Sequence, residues 1–90
     1  MGVPKDNMAI LKFQSKTCNP CKQLSKVLEE LNVETKVVDI ATDEGKTLVD
    51  QYGIRAVPTL VDEKSKATLV GLKTKEEISL WLLAVEKAQV

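Results

Sequence analysis

Short apolar runs alternate along this chain with stretches in which apolar residues recur every three or four positions. Met8 to Phe13 is a short, mostly apolar run, which predicts a strand buried on both faces. Thr35 to Ile40 is rich in β-branched residues and predicts a second strand. Pro58 to Val61 and Lys66 to Val70 predict two further strands, and the polar residues Asp62 to Ser65 between them predict a hairpin.

Three segments have the spacing of amphipathic helices. They are Asn19 to Leu31, Asp43 to Tyr52 and Thr74 to Ala88. Pro20 fits the first helical position of the first helix, and Asn32 is a suitable end for it. Gly53 caps the second helix, and Thr74 with Glu77 forms a capping box at the start of the third. The side chains expected to face the core are Cys21, Leu24, Val27, Leu28, Leu31, Leu48, Val49, Tyr52, Ile78, Trp81, Leu82 and Val85.

The predicted order is β-α-β-α-β-β-α, which makes this an α/β protein. The first β-α-β unit implies parallel strands joined by a right-handed crossover, and the last two strands should be antiparallel. We therefore expect a four-stranded mixed sheet flanked by three helices. At 90 residues the chain is expected to form a single domain, residues 1–90, around one core.

Composition narrows the classes of partner. Lysine plus arginine and aspartate plus glutamate each number 13, so the net charge is zero and favours neither nucleic acid nor an anionic membrane. No apolar run approaches the ~18 residues of a membrane span. Residues 1–7 lack the apolar stretch of a signal peptide, which predicts a cytoplasmic protein. Nothing in the sequence indicates more than a monomer.

The two cysteines, Cys18 and Cys21, are three residues apart, where the first strand gives way to the first helix. Free N–H groups and the positive end of the helix dipole stabilise a thiolate there. Cysteine pKa values in such motifs fall from ~8.5 to between ~3.5 and ~7.5. Cys18, at the exposed edge, is the expected nucleophile and Cys21 the resolving thiol. Lys16 and Lys22 either add positive charge to the site or are simply solvated lysines.

Two other interpretations of the pair remain open. It could be half of a zinc or iron–sulfur site, but a structural zinc site usually takes four ligands from cysteine and histidine, and this chain has no histidine and no third cysteine. The cysteines could also be small, inert core residues. A C-x-x-C motif beside a β-α-β pattern favours redox chemistry, so no metal site is expected.

Three segments resemble the thioredoxin family. Residues 17–22 (TCNPCK) are similar to its active-site segment, residues 52–60 (YGIRAVPTL) to its cis-proline segment, and Val70-Gly71 before the last helix to its C-terminal stretch. The resemblance implies a thioredoxin-like fold and a cis Pro58 opposite Cys18. It also implies that the main chain of Val57 pairs with an extended substrate peptide. The remaining residues of the implied substrate-binding surface are Thr17, Asn19 and Pro20.

The chain departs from the family pattern in several places. Thr17 replaces the usual tryptophan before the first cysteine, and Met8 already begins the core strand, so the family's extra N-terminal strand and helix are expected to be absent. The hairpin after Pro58 is shorter than in typical members, and the spacing of residues 39–50 is closer to that of glutaredoxins. Residues 71–74 (GLKT) lack the Gly-Gly-Asp-type segment that would indicate glutathione binding.

The most informative departure is Lys12, where thioredoxins usually carry a buried aspartate beneath the second cysteine. A charged lysine lowers the pKa of a nearby thiol, and a desolvated neutral one can accept a proton. Asp39 on the neighbouring strand is a candidate ion-pair partner. Alternatively, Lys12 extends its amine to solvent.

The sequence thus predicts a reductase of protein disulfides that needs no bound cofactor. The resemblance implies that a flavin-dependent enzyme of the thioredoxin-reductase type, using NADPH, re-reduces it. A glutathione-coupled, glutaredoxin-like reductase is one alternative. The other is a binding module whose redox chemistry is incidental, with Ile54, Ala56 and Val57 as either a docking patch or part of the core.

Overall fold

The computed structural model describes residues 10–88, with side chains as far as Val85. The elements are β1 (Ile10–Gln14), α1 (Asn19–Glu30), β2 (Lys36–Asp39), α2 (Asp43–Tyr52), β3 (Thr59–Asp62), β4 (Thr68–Val70) and α3 (Lys75–Ala88). The predicted order is confirmed; Met8 of the predicted first strand lies outside the described residues. Within residues 10–88 no helix has the length and apolar character to cross a bilayer.

The four strands form one mixed sheet in the order β2-β1-β3-β4. β1 pairs in parallel with β2 and antiparallel with β3, and β3 pairs antiparallel with β4. The predicted parallel and antiparallel pairs are therefore confirmed. Residues 10–13 of the inner strand β1 are all buried, which explains the short run of apolar letters.

Alternate residues of β1 face two different layers of the core. Ile10 packs with Leu24 and Leu28 of α1 and with Ile78 of α3. Leu11 and Phe13 belong to the other layer, which α2 covers. The ring of Phe13 meets that of Tyr52 edge to face, with 6.2 Å between the centroids. Because Lys12 alternates with Leu11 and Phe13, it lies on the face that α1 covers.

The ends of α1 and α2 follow the predicted caps, with one correction. Cys18 is the N-cap of α1, so Pro20 takes the second helical position rather than the first. This is tolerated because the N–H groups of the whole first turn lack an intrahelical acceptor. Asn32 (φ 57°) and Gly53 (φ 66°) adopt the left-handed conformation that ends a helix, as predicted.

The hairpin is confirmed, but its second strand begins later than predicted. Lys66 has φ 66°, which a strand residue cannot adopt, so β4 starts only at Thr68. Asp62 is part of β3 and holds the turn, since its carboxylate accepts hydrogen bonds from the main-chain N–H and the hydroxyl of Ser65 at 3.0 and 2.7 Å. Within the described residues, the ends of β1, β2 and β3 each differ from their predicted positions by one residue.

The capping box of α3 is confirmed. The Glu77 N–H donates to Thr74 Oγ1 at 3.1 Å, and the Thr74 N–H donates to Glu77 Oε1 at 3.2 Å. Ile78 and Val85 are buried in the core, as the predicted stripe requires. The remaining members of that stripe, Trp81 and Leu82, are partly buried.

Candidate active site

Cys18 and Cys21 are joined by a disulfide at the start of α1, with their Cα atoms 5.2 Å apart. Cys18 is the helix N-cap, and its Sγ accepts a hydrogen bond from the Cys21 N–H at 3.1 Å. The Cys18 sulfur therefore sits where unpaired N–H groups and the helix dipole favour negative charge. A thiolate released at Cys18 on reduction would be stabilised there.

The two sulfurs differ in access. Cys18 is partly exposed, whereas Cys21 is only 1% exposed, one helical turn further in. A thiol or disulfide from solution can reach Cys18 directly, while the buried Cys21 is placed to react with a sulfur already joined to Cys18. Thiol–disulfide exchange depends on this kind of access.

The residues beside the cysteines lie at the surface. Lys16, Thr17, Asn19, Pro20 and Lys22 are all exposed. A turn closed by the hydrogen bond from the Cys18 N–H to the Ser15 carbonyl, at 3.3 Å, leads into the helix. The structure thus places the predicted contact residues Thr17, Asn19 and Pro20 around the accessible cysteine.

The side chain of Lys12 lies on the face of the sheet that α1 covers and is 1% exposed. Its amine donates hydrogen bonds to Gln14 Oε1 and to Ser25 Oγ, and the Ser25 hydroxyl donates to the Cys21 carbonyl at 3.1 Å. Burial lowers the pKa of Lys12 from its ordinary value of 10.5. Sequence reasoning missed Ser25, although a serine four residues after Cys21 on a helix is placed to bond the Cys21 carbonyl.

Both sequence-based expectations for the surroundings of Lys12 are wrong. The amine does not extend to solvent, because the hydrogen bonds hold it inside the protein. Asp39 is not its partner, since Asp39 lies at the far end of β2, opposite Gln14. There the Asp39 carboxylate accepts a hydrogen bond from the Ala41 N–H at 2.9 Å and shapes the turn into α2.

The Val57–Pro58 peptide bond is cis, as the resemblance implied. Pro58 is buried and Val57 partly buried, and the Pro58 carbonyl accepts a hydrogen bond from the Gly71 N–H at 2.8 Å. Because β1 and β3 are antiparallel, with Phe13 opposite Thr59, this loop lies at the end of the sheet from which the chain enters the cysteine turn. Sheet topology therefore brings the two motifs together.

A groove of about 300 Å³ adjoins the cis-proline loop. Its lining residues are Ile40, Lys46, Val49, Ile54, Arg55, Ala56 and Val57. The suggested docking patch is divided: Ala56 is exposed, while Ile54 and Val57 are half-buried and pack on the core. Among residues 10–85, no three histidine, cysteine, aspartate or glutamate side chains come together to hold a metal ion.

Reversible exchange between a dithiol and a disulfide is the chemistry that this arrangement supports, and it defines the class: the chain is a thiol–disulfide oxidoreductase. The family model described as Thioredoxin matches residues 2–84. The chain therefore belongs to the thioredoxin family, and as a member it is a protein-disulfide reductase.

Relatives of known identity agree with this assignment. The chain is 35% identical over 80 residues to the thioredoxin of Bacillus subtilis, covering 81% of this chain and 77% of that protein. It is 30% identical over 84 residues to the thioredoxin of Rickettsia felis, covering 86% and 80%. The predicted family and oxidoreductase function are thus confirmed.

Solved structures give the same fold. The crystal structure of Malassezia sympodialis thioredoxin matches with a TM-score of 0.73 at 26% identity, covering 90% of this chain and 76% of that one. A variant of the Halobacterium salinarum thioredoxin matches with the same TM-score and identity, covering 89% and 75%. The predicted thioredoxin-like α/β fold is confirmed.

Proposed function

We propose that this protein reduces the disulfides of other proteins with Cys18 as nucleophile and Cys21 as resolving thiol. The observation that carries the proposal is the cysteine pair itself, one partly exposed sulfur at the helix N-cap and one buried sulfur a turn behind it. The Cys18 thiolate attacks one sulfur of the substrate disulfide, forms a mixed disulfide and releases the other sulfur as a thiolate, which takes up a proton. Cys21, losing its proton, then attacks the Cys18 sulfur, which frees the second substrate thiol and forms the Cys18–Cys21 disulfide.

The substrate is held beside this pair by the cis-proline loop. The main chain of Val57 pairs with an extended peptide segment around the substrate cysteine, with Pro58 fixing the direction of the loop. Exposed Thr17, Asn19 and Pro20 contact the same segment from the cysteine side.

Lys12 adjusts the reactivity of the buried thiol. Its hydrogen bond to Ser25, whose hydroxyl bonds the Cys21 carbonyl, places a buried amine against the turn that carries Cys21. In its charged form this amine favours the Cys21 thiolate, which lowers the cost of the resolving step.

The oxidised pair returns to the dithiol by electron transfer from a flavin-dependent reductase of the thioredoxin-reductase type, with no cofactor bound to this chain. Membership of the thioredoxin family supports this partner. We also propose that residues 1–90 form one monomeric domain that works in the cytoplasm, where such reductants keep thiols reduced.

Trapping tests the roles of the two cysteines. We expect Cys21→Ser to accumulate a mixed disulfide with a protein-disulfide substrate, because the resolving thiol is missing, and Cys18→Ser to form none. A Cys21→Ser variant that forms no adduct, or equal adducts in both variants, would contradict the assignment. Oxidation of NADPH with a flavin-dependent thioredoxin reductase, compared with turnover on glutathione alone, tests the proposed electron donor.

A further inference from the structure

The groove beside the cis-proline loop has an apolar floor and a cationic rim. Its floor consists of the half-buried residues Ile40, Val49, Ile54 and Val57, which pack on the core layer under α2. Lys46 on α2 and Arg55 on the loop are exposed and contribute its two charges. No carboxylate is among the lining residues.

Both cations are available to a ligand. In the part of the chain that the structure describes, neither the Lys46 amine nor the Arg55 guanidinium has a hydrogen-bond or ion-pair partner. Asp43 and Asp50 lie about one helical turn on either side of Lys46, but both are exposed and outside the groove. The groove therefore presents two positive charges above an apolar surface to anything bound at Val57.

We propose that this groove binds an acidic side chain of the substrate peptide and so selects disulfides flanked by aspartate or glutamate. The inference rests on the proposed function, which places an extended peptide along the main chain of Val57. In such a peptide alternate side chains point the same way, so a residue two positions from the one paired with Val57 can enter the groove. Its methylene groups contact Ile54 and Val57, and its carboxylate meets Arg55 and Lys46.

The expected preference for acidic peptides is modest, because Lys46 and Arg55 are both exposed to solvent. A charge pair at an exposed site changes an equilibrium by about 1.4- to 5-fold. The two cations together should therefore favour a glutamate peptide over a matched lysine peptide by roughly 10-fold. Most of this preference should disappear in ~1 M salt, where the screening length falls to about 3 Å.

The proposal can be tested with three disulfide-bonded peptides. They are identical except at the position two residues from the attacked cysteine, which is glutamate, glutamine or lysine. We expect kcat/KM to fall in that order for the wild type and the ratio of the first to the last to shrink in Lys46→Gln. In Arg55→Glu the order should be lost, because the new carboxylate offsets the charge of Lys46. Lys26→Gln, which removes an exposed lysine of α1 outside the groove, is the matched control and should keep the wild-type order.

Equal kcat/KM for the three peptides, or an unchanged order in Arg55→Glu, would overturn the inference. A glutathione mixed disulfide is the competing substrate. If the wild type preferred it to the glutamate peptide, and Arg55→Glu lost that preference, the groove would be assigned to glutathione instead. If the wild type reduced none of the peptides, the proposed function would fail by itself. Binding of serine-substituted peptides to Cys18→Ser/Cys21→Ser would then still test the groove, since tighter binding of the glutamate peptide supports it and equal binding rejects it.

Discussion

The buried amine of Lys12 donates a hydrogen bond to the hydroxyl of Ser25. Ser25 in turn donates to the carbonyl of Cys21. Two hydrogen bonds therefore link Lys12 to the helical turn that carries the resolving cysteine. Lys12 is the only lysine among the fully buried side chains of the described residues. A lysine in this position carries an unfavourable desolvation energy when charged. This relationship leads to two separate predictions.

The first concerns stability and pH. Because burial lowers the pKa of Lys12 in the folded state, the unfolded chain binds more protons between that lowered pKa and 10.5. The free energy of unfolding should therefore rise with pH through this window. In Lys12→Met this contribution to the pH dependence is lost. Urea unfolding at a series of pH values, with the exposed Lys26→Met as the matched control, measures the difference.

A pH profile of Lys12→Met that runs parallel to those of the wild type and Lys26→Met would contradict a buried, titrating lysine. Lys26→Met itself should follow the wild type, because an exposed lysine keeps its solvation when the chain folds.

The second prediction concerns the reactivity of Cys21. In a Cys18→Ser background, Lys12→Met should move the alkylation of Cys21 to higher pH, because loss of a nearby cation disfavours the thiolate. Ser25→Ala should produce a smaller shift in the same direction, since the amine remains but its link to the Cys21 turn is lost. The pH dependence of alkylation under denaturing conditions is the control. If both variants alkylate with the wild-type profile, Lys12 has only a structural role.

Gly45 should tolerate no side chain, although it lies in a helix. A Cβ there would stand 1.9 Å from the carbonyl oxygen of Asp39, a main-chain atom that cannot move aside cheaply. Gly→Ala in a helix normally stabilises by up to ~1 kcal/mol, but we expect Gly45→Ala to destabilise by about 1–3 kcal/mol. Gln51→Ala, at an exposed position of α2, should change stability by less than ~0.5 kcal/mol. Chemical denaturation of both variants measures their free energies of unfolding. An unchanged or raised free energy of unfolding in Gly45→Ala would contradict the close packing of α2 on β2.

The capping box of α3 should make the stability of the protein depend on pH in the acid range. The main-chain and side-chain hydrogen bonds from Thr74 lower the pKa of Glu77 from its ordinary value of 4.5. Its contribution to stability is therefore complete above pH 4.5 and is lost as the pH falls through the lowered value. Thr74→Ala should cost about 1 kcal/mol at neutral pH. Glu77→Gln should lose less stability than the wild type between pH 4.5 and the lowered pKa, and equal acid sensitivity would refute this role.

Most of the fold could be predicted because local signals agreed with the tertiary structure. The apolar run that became β1 is buried on both faces, and Gly53 and Asn32 end their helices in the left-handed conformation. The start of β4 could not be predicted, because nothing in the letters requires Lys66 to adopt a positive φ. That conformation depends on how Asp62 closes the hairpin.

The site was predictable where it is local in sequence and not where it depends on packing. Cys18 and Cys21 mark it by their spacing at a helix start. The partners of Lys12 were not predictable, because the choice between Asp39 and Ser25 depends on the register of β1 and β2 and on how α1 packs over β1. The cationic groove joins Ile40, just after β2, to residues of α2 and the cis-proline loop, and no pattern along the chain brings these together.

The reduction potential of the Cys18–Cys21 couple, measured by equilibration against glutathione, decides whether this protein reduces the disulfides of its substrates or forms them. A reductant of protein disulfides should have a potential near ~−230 to −270 mV. A value near ~−120 to −180 mV would mean that the couple gives up its disulfide readily and acts as an oxidant or isomerase. That result would contradict the proposed flow of electrons from the Cys18–Cys21 dithiol to the substrate disulfide.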